Sequence, residues 1–127
     1  MAVQLNHTIV PARDDKESAR FLADILGLAD PVYSEPFQIV RLSNDVALDV
    51  MRVDGPITTG HYAFLVDDTE FDEILDRVRA RGLTFWADPF HRHAGRTNDW
   101  YGGRGAYFED PSGHNLEIMT RASDAGR

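Results

Sequence analysis

Apolar and polar residues recur along the chain in an order that predicts alternating strands and helices. Residues 3–10 are rich in apolar and β-branched types and predict a first strand. Asp14-Asp15 then offers N-cap chemistry for a helix with an apolar face, and Gly27 is placed to end that helix in the left-handed conformation. Two short strands are predicted near 37–42 and 46–53. The first part of the chain therefore has the pattern strand, helix, strand, strand.

The same pattern restarts after a stretch rich in helix and strand breakers. Residues 54–60 predict a linker, and residues 61–66 predict a new strand. Asp68 or Thr69 is the expected cap of a second amphipathic helix, which Gly82 closes. A strand at 83–87, a polar loop at about 88–102, a final hairpin and a fraying tail at 122–127 are predicted to follow.

The final hairpin has a predictable register. Asp110-Pro111-Ser112-Gly113 has the residue order of a type I turn, with Gly113 in the left-handed conformation. This turn predicts that Asp110 faces His114 and that Tyr107 faces Glu117. A register shifted by one residue would place Glu117 on the packing face, so burial also favours this pairing.

Chemistry-bearing residues repeat together with the apolar pattern. The first half has His7 and ends in Leu48-Asp49-Val50-Met51, and the second half has His61 and ends in Leu116-Glu117-Ile118-Met119. A duplication retained only for packing would not need to repeat one histidine and one carboxylate in each half. Two imidazoles and two carboxylates are a typical set of metal ligands.

The amino-acid composition limits the kinds of molecule that such a site can bind. The 127 residues contain no cysteine, so disulfides, thiolate zinc clusters and thiol nucleophiles are excluded. The formal charge of -8 opposes nucleic-acid binding. No apolar run approaches the roughly 18 to 20 residues that cross a bilayer, and no signal-peptide pattern follows Met1. We expect a cytoplasmic protein that binds a small molecule, with no nucleic-acid or membrane partner.

The repeat and its motifs resemble a known superfamily. Leu5-Asn6-His7, Gly60-His61-Tyr62-Ala63 and above all the stretch from Tyr107 to Glu117, with its Asp-Pro-Ser-Gly turn, are similar to the vicinal oxygen chelate superfamily. That superfamily includes glyoxalase I, extradiol dioxygenases, fosfomycin resistance proteins and bleomycin-binding proteins. The resemblance implies an α+β fold in which two βαβββ modules form a curved mixed sheet, a cup with helices on its convex face. A single domain over 1–127 is expected, with modules at about 3–53 and 61–120, linker 54–60 and tail 121–127.

The resemblance also implies a site for a divalent metal ion, either Fe, Mn, Ni or Zn. By position, His7, His61 and Glu117 match the ligands of the family, and Asp49 matches a fourth position that glyoxalase I fills with Glu. Asp is one methylene shorter, so three or four protein ligands are both open. In a glyoxalase-type reaction Glu117 or Asp49 would move the proton, and Tyr107 matches the substrate-contacting tyrosine of extradiol enzymes.

Three functions are consistent with this resemblance. The first expectation is a metal-dependent, glyoxalase-like lyase or isomerase acting on a small oxygen-chelating substrate. The alternatives are an Fe(II) extradiol-type ring-cleavage dioxygenase and a non-catalytic resistance protein that binds an antibiotic or aromatic compound. A homodimer is expected from single-pair relatives. The loop that carries His91, Arg92 and His93 is either a solvated loop or a lid that receives an anionic substrate group.

Overall fold

The computed structural model describes residues 2–123 and divides them into two compact units. The first unit contains the described residues up to Thr59 together with Asp110–Ser112, which form the turn of the final hairpin. The second contains Gly60–Glu109 and the described residues from Gly113 onward. Each unit has one α-helix and one four-stranded sheet, so the predicted α+β class is confirmed. The predicted fraying tail lies mostly outside the described residues.

The two units repeat one topology. In order, the first consists of β1 (His7–Ala12), α1 (Asp15–Leu26), β2 (Val32–Ser34), β3 (Phe37–Arg41) and β4 (Ala47–Arg52). The second consists of β5 (His61–Leu65), α2 (Asp68–Ala80), β6 (Phe85–Trp86), a short 3-10 helix (Trp100–Gly102), β7 (Gly105–Glu109) and β8 (Asn115–Met119). The strand orders are β1-β4-β3-β2 and β5-β8-β7-β6, and in each sheet the first pair is parallel and the others are antiparallel.

The repeat extends to the register of the parallel strands. His7 opens β1 opposite Ala47, two residues before Asp49. His61 opens β5 opposite Asn115, two residues before Glu117. Because side chains alternate between the faces of a strand and paired residues share a face, each histidine lies on the same sheet face as the carboxylate of its own half. The duplication predicted from sequence therefore repeats positions as well as residue types.

The helices begin and end at identifiable caps. Asp14 caps α1 by accepting a hydrogen bond from the Glu17 backbone N–H, and Gly27 ends it at φ +69°, as predicted. The predicted cap of α2 was wrong. Asp67, not Asp68 or Thr69, caps this helix, because its side chain accepts from the Glu70 N–H while the Glu70 side chain accepts from the Asp67 N–H.

Strand boundaries differ from the sequence expectation at three places. β1 begins at His7 instead of residue 3 and continues through Pro11 to Ala12, which is compatible with its edge position in the sheet. β2 was not predicted from the pattern, since all three of its residues are exposed and show no alternation. β6 covers only Phe85–Trp86 instead of 83–87. The predicted register of the final hairpin is confirmed, with Tyr107 opposite Glu117 and Phe108 opposite Leu116.

Each helix buries one apolar stripe. α1 contacts β1, β3 and β4, whose inward residues include the fully buried Val10, Val40 and Val50. In the second unit the largest buried side chains include Phe71 of α2 and Phe108 of β7. Within residues 2–123, no helix is long and apolar enough to span a bilayer.

Candidate metal centre

The second unit brings together two of the predicted ligands, His61 and Glu117. His61 Nε2 lies 2.9 Å from Glu117 Oε1, across the parallel pair β5 and β8. The Glu117 side chain is only 10% exposed, whereas that of His61 is 48% exposed. A buried carboxylate with an accessible imidazole beside it forms a polar pair that an ion can reach from one side. Since a carboxylate only accepts hydrogen bonds, the ring donates from Nε2 in this arrangement.

Tyr107 completes the polar group on this sheet face. It lies directly opposite Glu117 on β7, is only 4% exposed, and its hydroxyl donates a hydrogen bond to the Glu117 carboxylate. Burial raises the pKa of Tyr107 well above its ordinary value, and the negative charge of Glu117 raises it further. The Tyr107 and His61 rings are tilted against each other with centroids 5.7 Å apart. The Tyr107 hydroxyl therefore stays protonated at neutral pH and acts as a hydrogen-bond donor of fixed position.

The spacing of the two donor atoms fits a divalent ion. Two ligand atoms bound side by side on an octahedral ion, each about 2.1 Å from it, are about 3.0 Å apart. The observed separation of 2.9 Å between His61 Nε2 and Glu117 Oε1 matches this value. An ion could thus replace the proton that the two groups share, without movement of either strand. Imidazole nitrogen and carboxylate oxygen are ligands that Fe, Mn, Ni and Zn all accept.

The other two predicted ligands lie in the first unit. His7 is exposed, and its Nδ1 is 2.7 Å from Asn6 Oδ1. Asp49 is half-buried on β4, opposite Ile9. No group of three or more His, Asp or Glu side chains placed to hold a metal ion occurs among residues 2–123.

Two further residues near the pair were not selected from sequence. His114 is fully buried, and its Nδ1 accepts a hydrogen bond from the Gly60 backbone N–H at 2.9 Å, next to His61. Asn115 is opposite His61 and contacts His91 through its side chain. The sequence signal for both was their place in the Gly113-His114-Asn115 part of the specific motif, but their contacts depend on the folded loop.

Comparison with known proteins confirms the resemblance. Residues 4–118 match the family model of the Glyoxalase/Bleomycin resistance protein/Dioxygenase superfamily. The chain therefore belongs to this superfamily, and its two four-stranded mixed sheets with two helices form a glyoxalase-like fold.

Particular relatives differ in the chemistry that their names describe. The chain is 60% identical to the solved structure of Oxidase ChaP-H1, covering 95% of this chain and 98% of the other with a TM-score of 0.93. It is 58% identical to Oxidase ChaP-H2, covering all of both chains with a TM-score of 0.95. It is 28% identical to Metallothiol transferase FosB of Lysinibacillus sphaericus (strain C3-41), covering 94% of this chain and 84% of the relative.

Proposed function

We propose that this chain is a divalent-metal-dependent oxidase that acts on a small substrate with neighbouring oxygen atoms. The His61–Glu117 pair carries the proposal, because it offers nitrogen and oxygen donors at a separation suited to one ion. The two relatives near 60% identity are both named oxidases, which supports oxidation over the lyase or isomerase reaction that sequence alone favoured. The metal requirement is also supported by the name of the metallothiol transferase relative.

In this proposal, residues of the second unit would have two roles, which are to bind the ion and to position its carboxylate ligand. His61 and Glu117 would hold the ion, which would supply Lewis acidity and, as iron, redox chemistry when bound. Tyr107 donates a hydrogen bond to Glu117 and so fixes the direction of that carboxylate. Because burial keeps the Tyr107 hydroxyl protonated, this hydrogen bond to Glu117 persists at neutral pH.

His7 and Asp49 enter the proposal through the family resemblance, which matches both to ligand positions. Substitution tests each contribution separately. Metal titrations of His7→Ala and Asp49→Asn should both show weaker binding if four protein ligands are used. Unchanged affinity in Asp49→Asn alone would indicate three. A homodimer of cytoplasmic location remains part of the proposal, and light scattering at micromolar concentration tests the dimer.

Oxygen uptake separates the proposed oxidase from its alternatives. Purified protein is freed of metal, loaded anaerobically with Fe²⁺, and mixed with catechols or hydroxyketones in an oxygen electrode. We expect oxygen consumption that requires both the ion and an intact Glu117. Glu109→Gln is the matched control, because Glu109 is an exposed carboxylate on the adjacent strand β7.

Other results would replace the oxidase proposal with one of the alternatives. Consumption of fosfomycin and a thiol without oxygen uptake would indicate a transferase. Isomerisation of a hydroxyketone without oxygen uptake would favour the hypothesis of a lyase or isomerase. Tight binding of an aromatic compound by metal-free protein, with no metal uptake under any condition, would indicate a binding protein.

A further inference from the structure

The loop between β6 and the 3-10 helix holds His91 in a defined position. The buried carboxylate of Asp88 accepts hydrogen bonds from the backbone N–H groups of Arg92 and His93, at 2.9 Å for the shortest to each. His91 has φ +59°, a conformation that a residue with a side chain rarely adopts. Its ring is stacked on Trp86 with centroids 3.7 Å apart and planes 8° from parallel. The loop is therefore built around an imidazole ring of fixed orientation.

The hydrogen bonds of Asn115 determine which ring nitrogen of His91 carries the proton. Asn115 Nδ2 donates to the Pro89 carbonyl oxygen at 3.2 Å, so the amide oxygen Oδ1 is directed at His91. Oδ1 lies 3.0 Å from His91 Nε2, and an amide oxygen can only accept. Nε2 therefore carries the hydrogen, and the neutral ring has its lone pair on Nδ1. Within the described part of the chain, Nδ1 has no hydrogen-bond partner of its own.

His91 lies over the sheet face that carries the candidate metal centre. Trp86, on which it stacks, is paired with Tyr107 on β7. Asn115, to which it is bonded, is paired with His61 on β5. Since paired residues on neighbouring strands direct their side chains to the same face, both contacts of His91 share a face with Tyr107, His61 and Glu117. None of these contacts uses Nδ1.

We propose that His91 is a catalytic residue whose Nδ1 accepts a proton from a hydroxyl group of the substrate. The O–H bond of the substrate breaks, its electron pair stays on oxygen, and the proton forms a new bond to Nδ1. The product of this step is an oxyanion, which binds a divalent ion more strongly than a neutral hydroxyl, and an imidazolium stacked on Trp86. The indole ring stabilises that cation. This inference rests on the proposed metal-dependent function, and it requires a substrate with at least one ionisable hydroxyl group.

Nitrogen-15 NMR of the protein loaded with Zn²⁺, which has no redox chemistry, tests the starting state and the transfer. At a pH where the ring is neutral, we expect hydrogen on Nε2 and none on Nδ1 of His91. Addition of the chromogenic probe 4-nitrocatechol should shift Nδ1 to its protonated value, while the visible spectrum shows the bound probe one proton more ionised than the free probe at the same pH. Hydrogen on Nδ1 before the probe is added would overturn the inference.

Calorimetry of probe binding in buffers of different ionisation enthalpy counts the protons released to solvent. His91→Asn tolerates the left-handed backbone but cannot take the proton. Its binding of the probe should release about one proton more than the wild type does and should be weaker by about tenfold. His93→Asn, an exposed residue of the same loop, is the matched control and should behave as wild type.

The results of these experiments distinguish failure of the His91 role from failure of the proposed metal-dependent function. If wild type shows no metal-dependent binding of 4-nitrocatechol, the proposed function fails and the role of His91 fails with it. If wild type binds the ionised probe through the metal, yet His91→Asn gives the same proton count and affinity, only the role of His91 fails. Should His91→Asn not fold, the change at Nδ1 in the wild-type NMR spectrum decides alone.

Discussion

Glu117→Gln should abolish the stabilisation of this protein by divalent ions while leaving the metal-free fold intact. Glu117 is 7% exposed and accepts hydrogen bonds from Tyr107 and His61. Glutamine has nearly the same volume and keeps an oxygen that can accept from Tyr107. It removes the negative charge, and a neutral amide is a poor ligand for a transition metal. The substitution thus tests the ligand role separately from packing.

The size of the effect follows from linkage between binding and unfolding. An ion present at about one hundred times its Kd adds about 2.7 kcal/mol to the free energy of unfolding. At about 2.1 cal/mol/K per residue, a chain of 127 residues has an unfolding entropy of about 270 cal/mol/K. The wild type should therefore gain about 10 °C in Tm under these conditions. Glu117→Gln should gain less than about 2 °C over the same range of ion concentration.

Scanning calorimetry with and without Mn²⁺, Fe²⁺, Ni²⁺ or Zn²⁺ measures both values. Glu109→Gln removes an exposed glutamate from the adjacent strand and should keep the full shift. A full shift in Glu117→Gln would refute the assignment of Glu117 as a ligand. If the wild type shows no shift with any of the four ions, the metal centre itself is wrong.

Three further substitutions test the groups around this centre. His114→Leu leaves the part-buried Gly60 N–H without its acceptor and should cost about 1 kcal/mol or more in urea unfolding, and wild-type stability would contradict this role. The pKa of Tyr107 is raised above the ordinary 10.0, so the unfolded chain ionises first and stability should fall as pH rises above about 10. Tyr107→Phe should lose that alkaline dependence, and an identical pH profile would argue against the burial of the hydroxyl. Asp67→Ala should cost about 1 kcal/mol by removing the cap of α2, again measured in urea, and a neutral effect would contradict the capping box.

The final hairpin shows what local sequence rules can predict. The Asp-Pro-Ser-Gly turn and the alternation of Tyr107 and Glu117 with apolar neighbours were sufficient to derive the register, because turn geometry and burial both select one pairing. The Asp14 cap and the left-handed Gly27 were also predictable, since both depend on residues within one turn of the helix.

Predictions were less accurate where two local solutions compete or where partners are distant. Asp67, Asp68 and Thr69 all offer cap chemistry, and only the reciprocal bonds with Glu70 decide between them. β2 has no alternating pattern and is a strand only because β3 lies beside it. The orientation of His91 depends on Asn115, which is 24 residues away in sequence.

Residue type and spacing along the chain were sufficient to recognise the duplication and the superfamily and to select His61, Tyr107 and Glu117 as candidates. The folded chain was needed to show that His61 Nε2 and Glu117 Oε1 lie 2.9 Å apart and that Tyr107 donates a hydrogen bond to the same carboxylate. The fold also places the His91 ring against Trp86 and Asn115, which share that sheet face. Distances and proton positions arise from strand pairing and from loops closed by distant partners, and the order of residues along the chain does not specify them.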